Sequence, residues 1–391
     1  MAHITEFRVD GLLGRTEPIH FNLERDVNVF FGENGSGKTT LLRILDAAMN
    51  IDAAAIAKLP VARAEVHIFS LSEDQTVKYV WDRKKKAGVP EDEQLALIDP
   101  LSLGATDRMR WAKLRQAETP AWRRFPERKP DSKPLTRWAH SFLPTTRLYV
   151  GDSSQALANN RLSDDQLDAV FTESLNRAWL LFNTRTVREV NAIQEDGLRA
   201  VLYSALSSKR DKVADPDVDP DDVYVRVRRF LERQAAAGSR MLGSREKFRE
   251  RYKTDEELRR VVTNLDRVER SVEAAFAPTE RFLATIQGLF SRGKTVSAHG
   301  NELSVILEDG NRLSVASLSS GEKHLLKLLL TAMNASENSV IIDEPELSMH
   351  IDWQREFVGT VHALNPSCQL IMATHSPEIM AELDDKKIFR I

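Results

Sequence analysis

The chain has 391 residues, of which 42% are hydrophobic and 29% are charged, and its formal net charge is −3. This composition excludes wholesale disorder and collagen-like or fibrous repeats, and at about 150 residues per domain the length predicts two or three structural units. The sequence lacks both an apolar run of about 18 residues and a signal-peptide pattern at its start, so we predict a cytoplasmic protein without a membrane partner.

The cysteine content and the distribution of charge restrict the kinds of site and partner. Cys368 is the one cysteine, which excludes a disulfide framework and a cysteine-rich zinc site, and its apolar neighbours predict packing rather than reactivity. Residues 108–138 carry ten Lys or Arg against three Asp or Glu, whereas residues 211–222 contain six Asp and two Pro. A net charge near zero therefore does not exclude nucleic acid as a partner.

The N-terminal elements lead into a glycine-rich turn. Apolar residues predict short strands near 4–9 and 20–23, and the buried strand VNVFF (27–31) runs directly into GENGSGKTT and the helical pattern LLRILDAAM. Residues 32–39 match G-x-x-x-x-G-K-[ST] at every position, and such a loop surrounds phosphate oxygens with backbone N–H groups. Lys38 is predicted to reach the β- and γ-phosphates, and the Thr39 hydroxyl to coordinate Mg²⁺. The predicted nucleotide-binding residues are Asn34, Gly35, Ser36, Gly37, Lys38, Thr39 and Thr40, with a structural turn as the alternative.

The segment that follows is less regular. Alternating apolar residues over 64–81 predict a β-hairpin, and the basic residues 83–140, with four prolines between 120 and 134, predict an irregular or partly helical surface segment. Arginine beside tryptophan suits contacts with phosphates and bases. The candidates for contacting DNA or a protein partner are Arg110, Arg115, Arg123 and Arg124, with Trp111, Trp122 and Trp138 among them. A merely solvated charged face is the alternative.

Helical patterns occupy the next part of the chain. Residues 163–207 and 223–291 are predicted to be helical, and the acidic stretch 211–222 is predicted to link them. A calcium-binding loop is the alternative for that stretch, but the glycine and terminal glutamate of an EF-hand are missing. A heptad seam of about two and a half repeats is formed by Leu258, Val261, Leu265, Val268, Val272 and Ala275. We expect this seam to pack inside a helical subdomain rather than across a dimer.

Alternating strand and helix patterns return near residue 302. Apolar residues on both sides of Asp309-Gly310 predict a hairpin over 303–315, and SLSSGEKHLLKLLLTAMN predicts a turn followed by a helix. SVIIDEPE and QLIMATHSP each begin with a predicted buried strand, the helix QREFVGTVHAL lies between them, and KKIFRI is a last strand. Strands that alternate with helices predict a mostly parallel sheet that is covered on both faces.

Two acids and a histidine follow the buried strands. Asp343 is predicted to hold Mg²⁺ and Glu344 to polarise the attacking water, with acids that only solvate a strand end as the alternative. His375 ends the next strand at the same edge of the sheet and is predicted to contact the γ-phosphate rather than to be structural. The predicted catalytic residues are therefore Lys38, Glu344 and His375, and the predicted metal ligands are Thr39 and Asp343.

The segment Leu318-Ser319-Ser320-Gly321-Glu322 resembles the LSGGQ-type signature of ABC ATPases. In that family the signature completes the nucleotide site of a second, head-to-tail subunit. The resemblance therefore implies that Ser319, Ser320, Gly321 and Glu322 contact ATP held by a partner chain. A serine-glycine turn that caps its own helix is the alternative.

Three further motifs resemble the RecF/SMC/OLD-like branch of the ABC-type ATPases, the AAA_21 and AAA_15 families. They are GENGSGKTT with its Asn34, DEPELSMH, which continues with Ile351 where the family usually has proline, and ATHSPEI. LPTTRLYV (143–150) is similar to an LPTYR-type segment, which implies that Arg147 approaches the nucleotide, and Gln155 is a candidate for the Q-loop glutamine.

The resemblance implies the α/β fold of a P-loop ABC-type ATPase head, with a mostly parallel sheet and an antiparallel β subdomain, interrupted by a large, mainly helical insert. Residues 1–60 would form the N-terminal lobe with the phosphate loop, and residues 301–391 the C-terminal lobe. The insert, 61–300, would comprise the hairpin 64–81, the basic segment 83–140 and a helical subdomain at 160–292.

The resemblance also implies an ATPase that uses ATP and Mg²⁺ and forms homodimers or higher oligomers of head-to-tail pairs. OLD-family nucleases continue past the histidine into a TOPRIM domain, whereas this chain ends at Ile391, so we expect a separate effector, a nuclease or a toxin. Similar stand-alone ATPases are sensor subunits of anti-phage systems such as Septu, PARIS and the retron-associated ATPases. The alternatives are a RecF-like repair or recombination ATPase and, less favoured because a clear Q-loop is missing, the nucleotide-binding subunit of a transporter.

Overall fold

The computed structural model describes residues 2–84, 121–126, 137–144, 164–206, 219–234, 243–290, 293–300 and 302–391. The strands are β1 (Ala2–Asp10), β2 (Ile19–Asn22), β3 (Val27–Phe31), β4 (Arg63–Ser70), β5 (Gln75–Asp82), β6 (Arg123–Pro126), β7 (His140–Leu143), β8 (Lys294–His299), β9 (Glu302–Leu307), β10 (Arg312–Ser314), β11 (Ser339–Asp343), β12 (Gln369–Thr374) and β13 (Ile388–Arg390). The helices are α1 (Lys38–Asn50), α2 (Ala53–Ala57), α3 (Asp164–Leu206), α4 (Pro220–Gln234), α5 (Arg245–Thr254), α6 (Glu256–Leu289), α7 (Ser320–Asn334), α8 (Ile351–Leu364) and α9 (Pro377–Met380). Five residues singled out from the sequence lie outside the described part: Arg110, Trp111, Arg115, Arg147 and Gln155.

The chain divides into two compact units. The first unit comprises Met1–Ala178, Arg292–Lys294 and Leu303–Ile391, and the second comprises Trp179–Ser291 and Thr295–Glu302. The lobe and insert boundaries at residues 60 and 300 stay predictions. The hairpin that the sequence assigned to the insert lies in the first unit, where β4 pairs with β1.

A parallel sheet in the order β13-β3-β12-β11-β7 forms one layer of the first unit. Its central strands β11 and β12 are buried along their whole length, as their mainly apolar sequences favour. Phe31 pairs with Thr374, and Asp343 pairs with Ala373, so β3, β11 and β12 end at the same edge of the sheet. The three chain segments that follow these strands therefore meet at this edge, which we call the site edge.

An antiparallel sheet in the order β2-β1-β4-β5-β6 forms a second layer of the first unit. Buried and partly exposed residues alternate along β4, which is typical of a sheet with one face in the core. The predicted combination of a parallel sheet, an antiparallel sheet and extensive helix is confirmed.

Helix α1 joins the two sheets in one hydrophobic core. Leu41, Leu42 and Leu45 of α1 are fully buried, and they belong to the same cluster as Val66 of β4 and Ile371 of β12. Burying one leucine side chain contributes on the order of 2 kcal/mol. The helix that begins at the glycine-rich loop is thus held rigidly against both sheets.

A buried polar network also connects the two sheets. The Gln369 side chain donates to the carbonyl oxygens of Ile4 (2.6 Å) and Glu24 (2.9 Å) and accepts from the Ile4 N–H (2.9 Å) and the Ser339 hydroxyl (2.8 Å). Because Gln369 is fully buried, each of these bonds satisfies a group that water cannot reach. The network fixes β1 of the antiparallel sheet against β11 and β12.

The second unit is helical, and the heptad seam packs inside it. Val268, Val272 and Ala275 of α6 form a cluster with Val190 of α3. Nearer the start of α6, Val262 packs with residues of α4 and α5, and Leu258 and Leu265 lie against that group. Five of the six predicted seam residues therefore pack in or against clusters within the chain, whereas Val261 is half-buried and its neighbour Val262 takes its place in the core.

The prediction that Trp122 and Trp138 contact a nucleic acid was wrong. Trp122 is only 3% exposed, and Trp138 packs against the same core and donates its indole N–H to the Tyr79 hydroxyl over 3.1 Å, so neither presents its ring to a nucleic acid. Within the described residues of the basic segment, Arg123–Pro126 form β6 and His140 begins β7, so these residues belong to the two sheets rather than to an irregular surface. These strands form because long-range pairing and burial override the charged and proline-rich local sequence.

The last residues of the acidic stretch, which we predicted to be a linker, are helical. Pro220–Asp222 form the first turn of α4, where proline and acidic residues are favoured. Asp221 pairs there with Arg249 and Arg245 of α5, and these hydrogen bonds lower the pKa of the Asp221 carboxyl.

Among the described helices, none is both long and apolar enough to cross a lipid bilayer. Cys368 is buried, which raises its thiol pKa to about 11 and keeps it unreactive.

Candidate functional site

The glycine-rich loop, residues 32–39, turns from β3 into α1 at the site edge. Gly35 and Gly37 have φ angles of 82° and 107°, which side-chain-bearing residues rarely adopt. A Cβ on Gly37 would also lie 3.2 Å from the side chains of Leu12 and Leu13. The loop shape predicted from the motif is therefore present, and α1 begins directly after it at Lys38.

Lys38 lies at the centre of this loop and is 5% exposed. Its ammonium group donates to the carbonyl oxygens of Gly32 (2.7 Å) and Glu33 (2.9 Å). Of the other predicted nucleotide-binding residues, Asn34 and Gly35 are exposed on the loop, Ser36 and Gly37 are half-buried, and Thr40 is half-buried in the first turn of α1. A cation and the amino end of a helix thus occur together, an arrangement that attracts anions.

The two predicted metal ligands contact each other. The Thr39 hydroxyl donates to Asp343 Oδ1 over 3.0 Å, and Asp343 is only 3% exposed. Hydroxyl and carboxylate oxygens are the hard donors that Mg²⁺ prefers. Together with Lys38, this donor set fits a magnesium-bound nucleoside triphosphate.

Glu344 and His375 face each other across the ends of β11 and β12. Glu344 has a φ angle of 53°, and its N–H donates to the Ala373 carbonyl over 2.8 Å. Its Oε1 lies 3.9 Å from Nδ1 of His375. A non-glycine residue in the left-handed region is strained, and such strain is concentrated at functional positions.

Glu346, which we did not predict from the sequence, is the nearer carboxylate to His375. Its Oε1 lies 3.0 Å from His375 Nδ1 and accepts hydrogen bonds from the His375 N–H (2.9 Å) and the Thr374 hydroxyl (2.7 Å). The available signal was the spacing of DEPE, which has a second acid two residues after Glu344. That signal was insufficient because the contact depends on how β12 aligns with β11.

The residues of the resembled signature lie at the start of α7. Ser319 and Glu322 form a capping box, in which the Ser319 hydroxyl accepts from the Glu322 N–H (3.3 Å) and Glu322 Oε2 accepts from the Ser319 N–H (2.7 Å). Burial alone would raise the pKa of Glu322, but hydrogen bonds from Ser319 and Lys294 lower it. Ser320 is exposed at the first position of the helix.

Gly321 joins the signature to the segment that follows Glu346. A Cβ on Gly321 would lie 2.3 Å from the carbonyl oxygen of Ser348, so only glycine fits between the two backbones. One turn along α7, the buried His324 ring contacts the Pro345 carbonyl through Nε2 over 2.9 Å. The start of α7 and the segment after Asp343 therefore form one packed structure.

A cavity of about 840 Å³ opens beside the glycine-rich loop. Its lining residues are Arg15, Phe31, Gly32, Glu33, Asn34, Gly35, Ser36, His375, Arg390 and Ile391. The fold thus places His375 at the same cavity as the loop. The signature residues lie elsewhere in the first unit, packed against Lys294 and Ser348.

Residues 27–381 match the AAA_21 protein family, which carries the description "AAA domain, putative AbiEii toxin, Type IV TA system". This match covers the glycine-rich loop, the signature residues, the paired acids and His375.

Two curated relatives are similar over shorter segments. They are "Retron Vc95 probable ATPase" of Vibrio cholerae serotype O1 biovar El Tor, 32% identical over 96 residues, and "Retron Ec83 probable ATPase" of Escherichia coli, 32% identical over 101 residues. The matches cover 21% and 22% of this chain and 19% of each relative. The similarity therefore spans about a fifth of the length of these relatives.

Solved SMC head domains are loosely similar over most of the chain. A head domain with an extended coiled coil bound to the C-terminal domain of ScpA, from Pyrococcus furiosus, has a TM-score of 0.41 at 13% identity and covers 97% of this chain and 92% of its own. The SMC head domain from Thermotoga maritima has a TM-score of 0.40 at 12% identity, with 97% and 91% covered. At these values the likeness adds nothing to the architecture described above.

Proposed function

The chain belongs to the AAA_21 family, and on this basis we propose that it binds ATP with Mg²⁺ at the glycine-rich loop and hydrolyses it to ADP and phosphate. One observation carries the proposal: the hydrogen bond at the site edge between Asp343 and Thr39, the residue that directly follows the buried Lys38 of the glycine-rich loop. If Asp343 only solvated the end of β11, its carboxylate would lie in water. Instead Asp343 is 3% exposed and faces a hydroxyl on the first turn of α1.

Each residue at the site edge has a distinct role in this proposal. Lys38 balances the charge of the β- and γ-phosphate oxygens, and the N–H groups at the start of α1 add further donors. Thr39 and Asp343 would hold Mg²⁺, which neutralises charge on the transferred phosphoryl group when it is bound. Glu344 accepts a proton from the attacking water, and His375, which lines the cavity, contacts the γ-phosphate.

We further propose that two subunits close around ATP. The support is the start of α7, where Ser319 and Ser320 are exposed on a helix N-terminus that the cavity beside the loop does not include. A helix N-terminus with exposed hydroxyls suits the phosphates of a nucleotide held by a second subunit. ATP binding would then clamp the dimer, and hydrolysis would release it.

The proposed biological role is control of a separate effector, a nuclease or a toxin, in anti-phage defence. Its support is the names of the relatives, which are ATPases of retrons, together with the family description, which refers to a toxin–antitoxin system. A RecF-like repair ATPase is the alternative, and stimulation of ATP turnover by DNA ends without any partner protein would favour it.

The described residues support fewer candidate nucleic-acid contacts than the sequence suggested. Arg124 is half-buried, with its guanidinium 3.8 Å from the Glu73 carboxylate, so it is partly neutralised inside the sheet. Arg123 and Phe125 are exposed on β6, with the guanidinium 5.9 Å from the ring centroid. Among the described residues of the basic segment, we propose this pair as the one that stacks on a base.

ATP hydrolysis is tested by comparing two lysine variants. Lys38→Ala removes the buried ammonium group of the loop, whereas Lys58→Ala removes an exposed one at the end of α2. Phosphate release with Mg²⁺-ATP and calorimetric ATP binding should be lost in Lys38→Ala and kept in Lys58→Ala. If the wild-type chain neither binds nor hydrolyses ATP, or if both variants retain full activity, the proposed function is wrong.

A further inference from the structure

We propose that Glu346 is a positioning residue for His375, and that it, rather than Glu344, fixes the orientation and tautomer of the imidazole. This inference rests on the proposed ATPase function, because it assigns a task within the same site. The two acids would then have separate tasks: Glu346 holds the histidine, and Glu344 stays available to the attacking water.

The contacts of Glu346 connect it to both the backbone and the ring of His375. One oxygen, Oε1, accepts from the His375 N–H at 2.9 Å and from the Thr374 hydroxyl at 2.7 Å, and it lies 3.0 Å from Nδ1. Glu346 is 7% exposed, whereas the His375 side chain is 48% exposed. A buried carboxylate thus lies in contact with a half-exposed ring at the rim of the cavity.

This geometry selects one tautomer of His375. Oε1 is a carboxylate oxygen that can only accept hydrogen bonds, and it already accepts from the His375 N–H and the Thr374 hydroxyl. Two lone pairs at 3.0 Å would repel each other, so Nδ1 carries the hydrogen. Nε2 is then the ring nitrogen left for a ligand in the cavity that His375 shares with residues 32–36. The role resembles that of any carboxylate that orients a histidine through its second nitrogen.

The position of Glu344 supports the separation of tasks. Its Oε1 lies 3.9 Å from His375 Nδ1, too far for a hydrogen bond and 0.9 Å farther than Oε1 of Glu346 (3.9 − 3.0 Å). Glu344 follows the last residue of β11 and has a left-handed backbone, with φ at 53°. A base that is not bound to the histidine keeps its lone pairs for a water proton.

Steady-state kinetics of isosteric variants provide the first test. Glu346→Gln keeps the size of the side chain and an oxygen that can accept from Thr374, but it loses the negative charge that faces Nδ1. We expect kcat to fall about tenfold or more while KM for ATP stays within about twofold. The matched control is Glu378→Gln on α9, a carboxylate that pairs with Arg355 at the surface, and its kcat should not change.

A double-variant cycle separates positioning from a general loss of structure. Glu346→Gln should lower kcat in the wild-type chain but not in a His375→Ala background, because a residue that acts through His375 has no effect once the ring is gone. If Glu346→Gln lowers kcat by the same factor in both backgrounds, the inference is wrong.

The tautomer itself gives a readout that does not depend on turnover. Long-range ¹H–¹⁵N spectra of histidine-labelled protein, with His375→Ala to assign the resonance, should show Nδ1–H in the wild type and an increased Nε2–H population in Glu346→Gln. An unchanged tautomer would overturn the inference even where the ATPase is active. A wild-type chain without ATPase activity would instead refute the proposed function.

Discussion

The Thr39 hydroxyl donates to Asp343 Oδ1 over 3.0 Å, which joins two residues that are 304 positions apart in the chain. The contact follows from the order of the parallel sheet, since β12 lies between β3 and β11 and all three end at the site edge. Thr39 lies in the first turn of α1, at the end of the glycine-rich loop that follows β3, and Asp343 is the last residue of β11. The sheet and the glycine-rich loop therefore bring a hydroxyl and a buried carboxylate to one place.

The first prediction concerns the dependence on magnesium. Asp343→Asn replaces a charged oxygen by an amide and should raise the Mg²⁺ concentration for half-maximal ATP hydrolysis by about tenfold or more. A hydrogen bond or ligand contact to a charged group contributes about 1.5–3 kcal/mol, and each 1.4 kcal/mol corresponds to about a factor of ten. Initial rates over a Mg²⁺ titration measure this shift.

The control for this prediction is Asp352→Asn. Asp352 is an exposed acid in the first turn of α8 that pairs with His350, so its loss removes a charge without touching the site edge. Its magnesium dependence should equal that of the wild type. Superimposable titrations for Asp343→Asn and Asp352→Asn would show that Asp343 does not hold the ion.

The second prediction separates ATP binding from hydrolysis. Glu344→Gln should reduce the hydrolysis rate by about 10² to 10⁴, because the amide cannot accept the water proton. ATP binding should persist, since Lys38, Thr39 and Asp343 are untouched. With ATP and Mg²⁺, the variant should accumulate as a dimer in light scattering, whereas the exposed control Glu382→Gln should turn over normally. A variant that hydrolyses ATP at the wild-type rate would rule out Glu344 as the base.

The elements at the site edge were predictable because each is encoded in a short, continuous segment. VNVFF before the glycine-rich loop, SVIID before Glu344 and QLIMAT before His375 are short, mainly apolar segments that are typical of strands buried on both faces of a sheet. Parallel strands that end at one edge then bring their following residues together. The family match over residues 27–381 confirms the resemblance on which the fold was inferred.

Elements that depend on distant pairing were not predictable from local pattern. β7 has only four residues, and it becomes a strand because Ser141 and Phe142 pair with Val340 and Ile341 of β11. Trp122, directly before β6, is buried although two arginines follow it, because β6 pairs with β5 and brings Trp122 against the core. Glu346 likewise contacts His375 because β11 pairs with β12, which brings the residues that follow the two strands together.

The third prediction tests the close approach between the signature and the segment after Glu346. Gly321→Ala places a Cβ 2.3 Å from the Ser348 carbonyl oxygen, so one backbone has to move. We expect the free energy of unfolding to fall by about 1–3 kcal/mol, and ATP-dependent dimerisation to weaken, because the start of α7 shifts. Urea denaturation and light scattering measure the two effects.

A second helical glycine provides the control for Gly321. Gly359 lies in α8, and a Cβ there would meet nothing within 4 Å. Gly359→Ala should therefore stabilise the protein by up to about 1 kcal/mol, since alanine favours the helix. Equal changes in the two variants would contradict the argument that Ser348 makes glycine necessary at position 321.

The last prediction concerns stability against pH and rests on His324. Burial, the largest cause, lowers the pKa of His324 from 6.5 to about 4, although the hydrogen bond to the Pro345 carbonyl and the charge of Glu346 oppose this shift. Between these values the unfolded chain binds a proton that the folded chain does not. The free energy of unfolding should therefore be highest above about pH 6.5 and fall as the pH decreases to about 4, by up to about 3 kcal/mol.

His324→Gln tests this dependence, because the amide can still donate to Pro345 but does not titrate. Urea denaturation between pH 7 and pH 4.5 should give a shallower loss of stability for this variant, by up to about 1.4 kcal/mol per pH unit. Burial also lowers the pKa of His3 to about 4. His3 therefore adds the same pH dependence of stability to the wild type and to every variant. The control is His350→Gln, at a ring that is 65% exposed, and its slope should match that of the wild type. If His324→Gln keeps the full slope, protonation of His324 is not what destabilises the protein in acid, and the contact between α7 and Pro345 does not depend on a neutral ring.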